Sequence, residues 1–581
     1  RRDNSSSVGG RRDGSPSRRS PSPRRRQREE PQNDSEDKVD RLQPNIMVEC
    51  SFQGHSVATT SQQGTTPSWG EAIYLPFQPN KNAGANSWTP DNLLLERDDV
   101  TVTLFDLTES QQRGVGKDKR KLTTIVSKRY LGSFSIPFTT IYLQQRVHGH
   151  FRVNTPLINL GYQTVQNEGT GRDTSALGTV KDRAANATTL HLMATLETPL
   201  VLPHDDVPEI RGGEDNATQK QARLFISRMK GKKMFKDREV MVLAPTLEGD
   251  MLLITKFLCP QAPPIGLTGQ RMNTVSQVVR FVSLIPFLED FQINQGQAEA
   301  WNYSHDFLQI CAGDWEEHAV LLCNYFNYID GNDYKSYLVI GTGIPEGKTK
   351  YVMRVSNTDP ERDIVFWNAS TGEGYAHDDH GCPLRVGTIA SQDNIYANIQ
   401  ESDFPYEMNF NLNDPNSWRP FFSAKYPLPH GETCQIPNLE YTPPDTEFLE
   451  RLERQIHQTI KEEFREWRGN KPMTQQTVLE RELQQTLLAM EYERCGLESD
   501  IPFSDYEHTR MFAKYQKTSK LHGFPFNSSF TDIKSILEQI KGLDIHETQI
   551  PSTKFAFGVK CIGYPCGVIS AWVYVATLEP L

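Results

Sequence analysis

The sequence predicts a multidomain chain: an all-β sandwich, then an α+β domain, then a helical hairpin and a C-terminal α/β unit. Three observations predict it. Short alternating strands between polar loops fill residues 44–203. Helical and extended runs gather around one long apolar helix in residues 219–440. Two amphipathic stretches, then two densely apolar runs meeting at a Gly-Tyr-Pro-Cys-Gly turn, make up residues 441–581. A chain of 581 residues is too long for one core and suggests roughly three to four domains. At 37% hydrophobic and 10% aromatic, most of it can fold around buried cores.

The first 43 residues stand apart. Residues 1–28 hold ten Arg against two Asp, so a net charge of −11 for the whole chain leaves −19 on the rest. RRDGSPSRRSPSPRRR is low in complexity and has almost nothing to bury, so disorder is expected over 1–43. Ser15, Ser20 and Ser22 each precede Pro, and phosphate there would cancel Arg charge. An RNA-binding tail or a membrane tether is the sharp reading, a solvated linker the plain one. The linker is preferred and no nucleic-acid partner is expected: no RNA-recognition signature follows, and an acidic remainder repels phosphate.

Alternating strands begin at NIMVECSF (45–52). TTPSWGEAIYLPF (65–77) reads as a Pro-led turn into a strand. VTVTLFDL (100–107), RYLGSFSIPF (129–138), HFRVNTP (150–156) and TTLHLMATLE (188–197) continue the series, with a long surface loop over 157–187. Pro67, Trp69, Glu71, the pair Phe105-Asp106 and Leu131-Gly132 stand at the order and spacing seen in C2 domains, which this region resembles. The resemblance implies calcium-dependent lipid binding only if several carboxylates converge, because calcium takes six to eight oxygens. Asp106 is the one weak calcium candidate, with Glu109 nearby, and GHSVATTSQQG (54–64) holds no acid. A protein-binding sandwich is therefore expected. The basic loop GVGKDKRK (114–121) leaves membrane-surface contact open.

After a turn-rich linker (204–218), QKQARLFISRM and VSQVVRFVSLIPF read as helices and EVMVLAPT as a strand. In GDWEEHAVLLCNYF (313–326), Trp315, Ala319, Leu322, Phe326 and Ile329 share one helical stripe that Gly331 ends. YLVIGTG, KYVMRV and DIVFWNAS then read as antiparallel strands, which makes an α+β core. This order resembles the transglutaminase-like (papain-like) fold, whose helix opens Gly-x-Cys-x-x-His-Ala. A thiolate is stabilised at a helix N-terminus, with a His base and an orienting Asp on the following strands. Carried over position by position, the three roles fall on Trp315, Thr349 and Asn368. Neither Trp nor Thr can act as thiol or base, so the triad is read as degenerate and the chain as no enzyme. Trp315 is expected to pin the helix to the sheet. A relocated nucleophile would draw on Cys311, Cys323 or Cys382 with His377 or His380. HDDHGC (377–382) is too crowded for a zinc site and reads as a polar loop. No metal or cofactor is expected. Nine scattered cysteines, with no metal-type doublets, fit a reducing setting.

PPDTEFLERLERQIHQTIKEEFREW (443–467) has Asp445 as N-cap and a face of Leu449, Leu452, Ile456, Ile460, Phe464 and Trp467. Leu479, Leu483, Leu487 and Met490 line a second helix, the two forming a hairpin over 441–500. In 501–581, HGFPF leads to a helix near 530–541, and KFAFGVKCI with GVISAWVYVATL forms a buried β-hairpin packing on the preceding domain.

RFVSLIPF, GDWEEHAVLLCNYF, IPEG, WNASTG, CPL, DNIYANIQ, GFPF and SAWVYVATL, in this order over about residues 44–581, resemble the coiled-coil and C2 domain-containing protein 2A family. That resemblance implies coiled coils upstream and a scaffold of the ciliary transition zone needed for ciliogenesis. It implies location in the cytoplasm and cytoskeleton, at the transition zone or basal body. The implied partners are B9-type C2-domain proteins and transmembrane proteins of the same complex. The two alternatives are a calcium- or lipid-binding adaptor and a cysteine protease or transglutaminase with a relocated nucleophile.

Overall fold

The computed structural model describes residues 43–79, 88–113, 122–162, 180, 187–203, 212–290, 300–429, 433–499, 505–550 and 552–581. The Arg/Ser-rich segment and the basic loop 114–121 lie outside them, as does most of 157–187. Among the described residues, no helix is long and apolar enough to cross a membrane.

Strand β1 (Asn45–Phe52) is central to the first sheet, flanked by β2 (His55–Ala58), β3 (Gln62–Gln63) and β4 (Asp99–Arg113). The long β5 (Leu122–Pro137) pairs antiparallel along all of β4, from Asp99 opposite Pro137 to Arg113 opposite Leu122. Helix α1 (Pro90–Leu94) precedes β4 and α2 (Phe138–Gln144) follows β5. A second layer, β6 (Arg146–Arg152) paired with β7 (Thr189–Thr195), turns Val147 and Phe151 onto Val48, Val102, Phe134 and Ile136. Alternation along each strand supplies this shared core. The expected strand over 65–77 does not form. Pro67 and Pro76 remove backbone donors, so Trp69, Leu75 and Phe77 pack as side chains without a ladder.

A small sheet of β8 (Gly212–Gly213), β9 (Leu243–Pro245) and β10 (Asp250–Leu253) takes its first strand from before helix α3 (Asn216–Lys230) and the other two from after it. Helices α4 (Val275–Ser283), α5 (Ser304–Ile310) and α6 (Trp315–Ile329) then lead into an antiparallel sheet of seven strands. Its members are β11 (Tyr334–Gly343), β12 (Gly347–Ser356), β13 (Ile364–Asn368), β14 (Glu373–Ala376), β15 (Arg385–Ala390), β16 (Ile395–Asn398) and β17 (Trp418–Pro420), in the order β14-β13-β12-β11-β15-β16-β17. Helix α6 packs on one face, with Leu338, Ile340, Val352 and Trp367 beneath Ala319, Leu322 and Phe326. Val339, Tyr351, Met353 and Phe366 point to the other face and build a separate core.

The last part was expected to begin with a helical hairpin. Instead α7 (Thr446–Arg468) and α8 (Thr477–Arg494) lie on opposite faces of one sheet. That sheet is β18 (Thr474–Gln475), β20 (Lys554–Gly563), β21 (Ile569–Pro580) and β19 (Ser519–Ser529). Leu452, Ile456, Ile460 and Phe464 of α7 meet Phe555, Phe557 and Val573 on one side. Leu479, Leu483, Leu487 and Met490 of α8 meet Ala556, Trp572 and Tyr574 on the other. The helices meet round the edge of β20, where Lys461 bonds Glu480 (2.8 Å) and Gln484 bonds Glu453 (2.7 Å). HGFPF lies inside β19, an edge strand, where Pro525 costs no ladder bond. Helices α9 (Asp505–Gln516) and α10 (Ile533–Gly542) complete the unit.

Candidate functional site

The region to test for chemistry is the start of α6. Asp314 caps it, its carboxylate accepting from Glu316 N, while Glu317 Oε2 accepts from Asp314 N at 3.0 Å. This reciprocal capping box satisfies orphan donors of the first turn. Glu317 Oε1 also accepts from Asn302 N at 2.9 Å. Asp290, Asp314 and Glu317 bring carboxylate oxygens within 4.8 Å of one another, all three residues buried. Burial first, then the charges of Asp314 and Asp290, holds the Glu317 carboxyl well above its usual range. The cluster therefore favours a bound proton at Glu317. Its oxygens serve the cap, Asn302 and Ala300 N, which donates to Asp290 Oδ2 at 2.6 Å.

His318 follows on the same helix and is fully buried. Its Nδ1 lies 2.6 Å from Asp314 O and its Nε2 3.0 Å from Ile285 O. Burial pushes its pKa down while the two carbonyls push it up. The net shift is downward, so the ring is neutral and donates to one of the two carbonyls; its full burial keeps it from a substrate.

The three degenerate positions are not brought together. Trp315 sits half-buried at the rim, its ring centre 4.4 Å from that of Phe287, so it packs on a loop and does not pin the helix to the sheet. Strand alternation turns Thr349 and Asn368 to the face away from α6. Thr349 pairs with Gly341 and is fully buried. Asn368 Nδ2 donates to Glu346 Oε1 at 2.8 Å and to Tyr351 Oη at 3.0 Å. Their strand neighbours Lys350 and Trp367 are the ones that face α6. A one-residue step in a strand exchanges faces.

Lys350 is the residue of β12 that faces the helix start, and it is ion-paired with Glu316, both buried. At the helix's far end Arg354 donates to both carboxylate oxygens of Asp330, at 2.8 and 2.7 Å. Two charge pairs thus clamp α6 to β12, one at each end of the helix.

Burial pushes all nine cysteines upward, Cys311 to about 11 and Cys323 and Cys382 to about 12. A nucleophilic thiol needs the opposite shift. In HDDHGC, the His380 ring lies tilted against Tyr406, centres 4.2 Å apart, and Cys382 is buried against the far core. Asp106, the calcium candidate, is buried with both oxygens engaged: Asn45 N donates to Oδ1 at 2.9 Å and Tyr162 Oη to Oδ2 at 2.7 Å. Glu109, three residues along the strand, points to the other face.

Sequence reasoning also missed a buried polar centre between α4, α8 and the C-terminal sheet. Arg280 donates from Nε to Glu491 Oε1 (3.0 Å) and from Nη2 to Oε2 (2.7 Å). Ser570 Oγ (2.9 Å), Trp572 Nε1 (2.6 Å) and the Tyr564 hydroxyl donate to the same carboxylate. Burial alone would raise Glu491; Arg280 and these donors outweigh it and bring the carboxyl down to about 2. No local pattern announces it, because each member looks like one polar residue in an apolar run. A cavity of about 310 Å³ lies where β5 meets β19 and β21, walled by Arg129, Tyr130, Tyr162, His522, Phe524 and Glu579.

Two family models match the chain: the CEP76 peptidase-like domain over residues 299–421 and the Centrosomal protein of 76 kDa C-terminal domain over 443–578. Human Protein CC2D2B is 27% identical over 539 residues, 91% of this chain and 36% of that protein. Coiled-coil and C2 domain-containing protein 2A of Drosophila melanogaster is 24% identical over 555 residues, 92% of this chain and 38% of that protein. Mouse Centrosomal protein of 76 kDa is 27% identical over 201 residues, 32% of this chain and 29% of that protein. The chain spans little more than a third of the length of the first two relatives.

Proposed function

The chain belongs to the coiled-coil and C2 domain-containing protein 2A family, and on that premise we propose that it is a non-enzymatic scaffold of the ciliary transition zone, needed to build cilia through protein–protein contacts. In this reading residues 44–203 are a C2 domain that binds protein. Residues 219–440 are a transglutaminase-like domain that keeps the fold without its chemistry, and 441–581 are its C-terminal cover. The partners are B9-type C2-domain proteins and transmembrane proteins of the same gate. Its place is the cytoskeleton at the basal body and transition zone, and relatives named as centrosomal support a seat near the centriole.

The observation that carries the reading is the blocked start of α6. Trp315 holds the place that the resemblance gives to a thiol, the helix-facing Lys350 is neutralised by Glu316, and both nitrogens of His318 face main-chain carbonyls in the interior. The test is to tag the endogenous full-length protein in ciliated cells and image it against basal-body and axonemal markers. A ring between the two markers is expected. Diffuse signal that ciliation leaves unchanged would sink the proposal.

A further inference from the structure

One face of the β6–β7 sheet is turned to solvent, and it carries donors that the readings above leave unused. Alternation along β6 sends Val147 and Phe151 inward, and His148 and His150 outward. On β7, His191 and Met193 point the same way, Met193 being 54% exposed. The antiparallel register sets His150 opposite His191 and His148 opposite Met193, so the four side chains form a two-by-two block. The ring centre of His191 lies 4.7 Å from that of His150 and 4.8 Å from that of His148. Cross-strand and diagonal neighbours on one face are within reach of each other.

We propose that His148, His150 and His191 bind one divalent transition-metal ion, copper ahead of zinc, with Met193 as a softer fourth ligand. Imidazole nitrogen suits copper, zinc and nickel, whereas calcium and magnesium demand oxygen. A thioether beside three imidazoles tilts the set towards copper, which also stands highest in the divalent affinity order. A metal–nitrogen bond is about 2.0–2.1 Å, so the donors of one ion stand closer together than these ring centres do. Rotation about χ1 and χ2, free at exposed positions, brings the nitrogens in. The backbone beneath is firmly seated. A Cβ on Gly149 would approach Ile344 Cδ1 to 2.7 Å, and Val147 and Phe151 anchor the strand on either side. Strands hold a ligand set more closely than loops do. Arg146 and Arg152 close the block at its ends, and Arg152 is drawn towards Glu373 at 3.5 Å and the Tyr375 ring.

The experiment uses the full chain without an affinity tag, dialysed against Cu²⁺ and separately against Zn²⁺, with electron paramagnetic resonance on the copper form. One tight equivalent of copper is expected, with nitrogen hyperfine structure in its spectrum and weaker binding of zinc. The double variant His150→Ala/His191→Ala should lose affinity by roughly 100-fold or more, since disturbing even the supports of a ligand costs 10–100-fold. Both positions are exposed, so its melting temperature in the absence of metal should match the parent's. Met193→Leu should weaken copper while leaving zinc unchanged. Copper bound with unchanged affinity and spectrum by the double variant would overturn the proposal, as would a parent spectrum without nitrogen coupling.

Discussion

Glu491 is where a single residue matters most. Its carboxylate is fully buried, yet it stays charged because Arg280, Tyr564, Ser570 and Trp572 all donate to it. Arg280→Met would leave that charge unpaired in the interior, which costs about 3–5 kcal/mol. A large fall in the urea midpoint is expected, with much of it recovered in Arg280→Met/Glu491→Leu, where both charges are gone. Asp106 makes a smaller case. Its oxygens already hold Asn45 N and Tyr162 Oη, so millimolar calcium should leave the melting temperature unchanged. A clear rise with calcium would return the first sheet to the calcium–lipid alternative.

Elements meet through close backbone approaches and buried acids. A Cβ on Gly558 of β20 would stand 3.0 Å from Gln484 N of α8, and backbone cannot swing aside as a side chain can. Gly558→Ala should cost about 1–3 kcal/mol by overpacking, read as a lowered melting temperature. Glu289, which accepts from Thr139 of α2 at 3.4 Å, and Glu346, bonded by Asn368, are both pushed up to about 7, chiefly by burial. The folded chain keeps these two protons after the unfolded chain has lost them near 4.5. Their contribution therefore makes stability fall as pH rises from about 4.5 to about 7, then level off. Glu491 has the opposite sign: its contribution is intact above 4.5 and is lost as pH falls towards 2. His508 and His522, pushed by burial down to about 4 and about 3, act in the opposite sense over much of this window. Relative to the parent, Glu289→Gln should therefore gain in melting temperature as pH rises from 5 to 7.

The whole molecule shares cores across the boundaries drawn from sequence. One apolar cluster runs from Ile158 and Leu160 through α3, α4 and α6 to Leu487, Trp572 and Leu578. The first sheet docks on the C-terminal unit through the stacked rings of Tyr130 and Phe524 of β19 (4.8 Å) and through Lys128 with Asp544, just past α10 (2.7 Å). Residues 44–440 expressed without 441–581 would leave that cluster open to water, and an insoluble product is expected where 44–581 is soluble. Thiol reactivity is a property of the same scale. With all nine thiols raised by burial, an electrophilic probe should label the native chain slowly and the urea-unfolded chain fast. One cysteine labelled rapidly in the native chain would revive the enzyme alternative.

Period and punctuation were legible without coordinates. The α6 stripe and its Gly331 stop, the Asp445 cap of α7 and the apolar β20–β21 pair all follow from local rules acting within a few residues. Even the Asp314–Glu317 capping box was present as a four-residue spacing. What the tertiary structure alone decided depends on residues far apart in the chain. That Thr349 and Asn368 lie on the face away from α6 is one such case, because sequence gives the spacing of strand residues but not which side the helix will cover. The sheet between α7 and α8 could not be foreseen from a short connection that usually makes helices neighbours. The Arg280–Glu491 centre joins residues 211 positions apart, and the His148–His150–His191 block depends on a register set by strands with a long loop between them. Local rules choose the elements; burial and register choose which side chains meet.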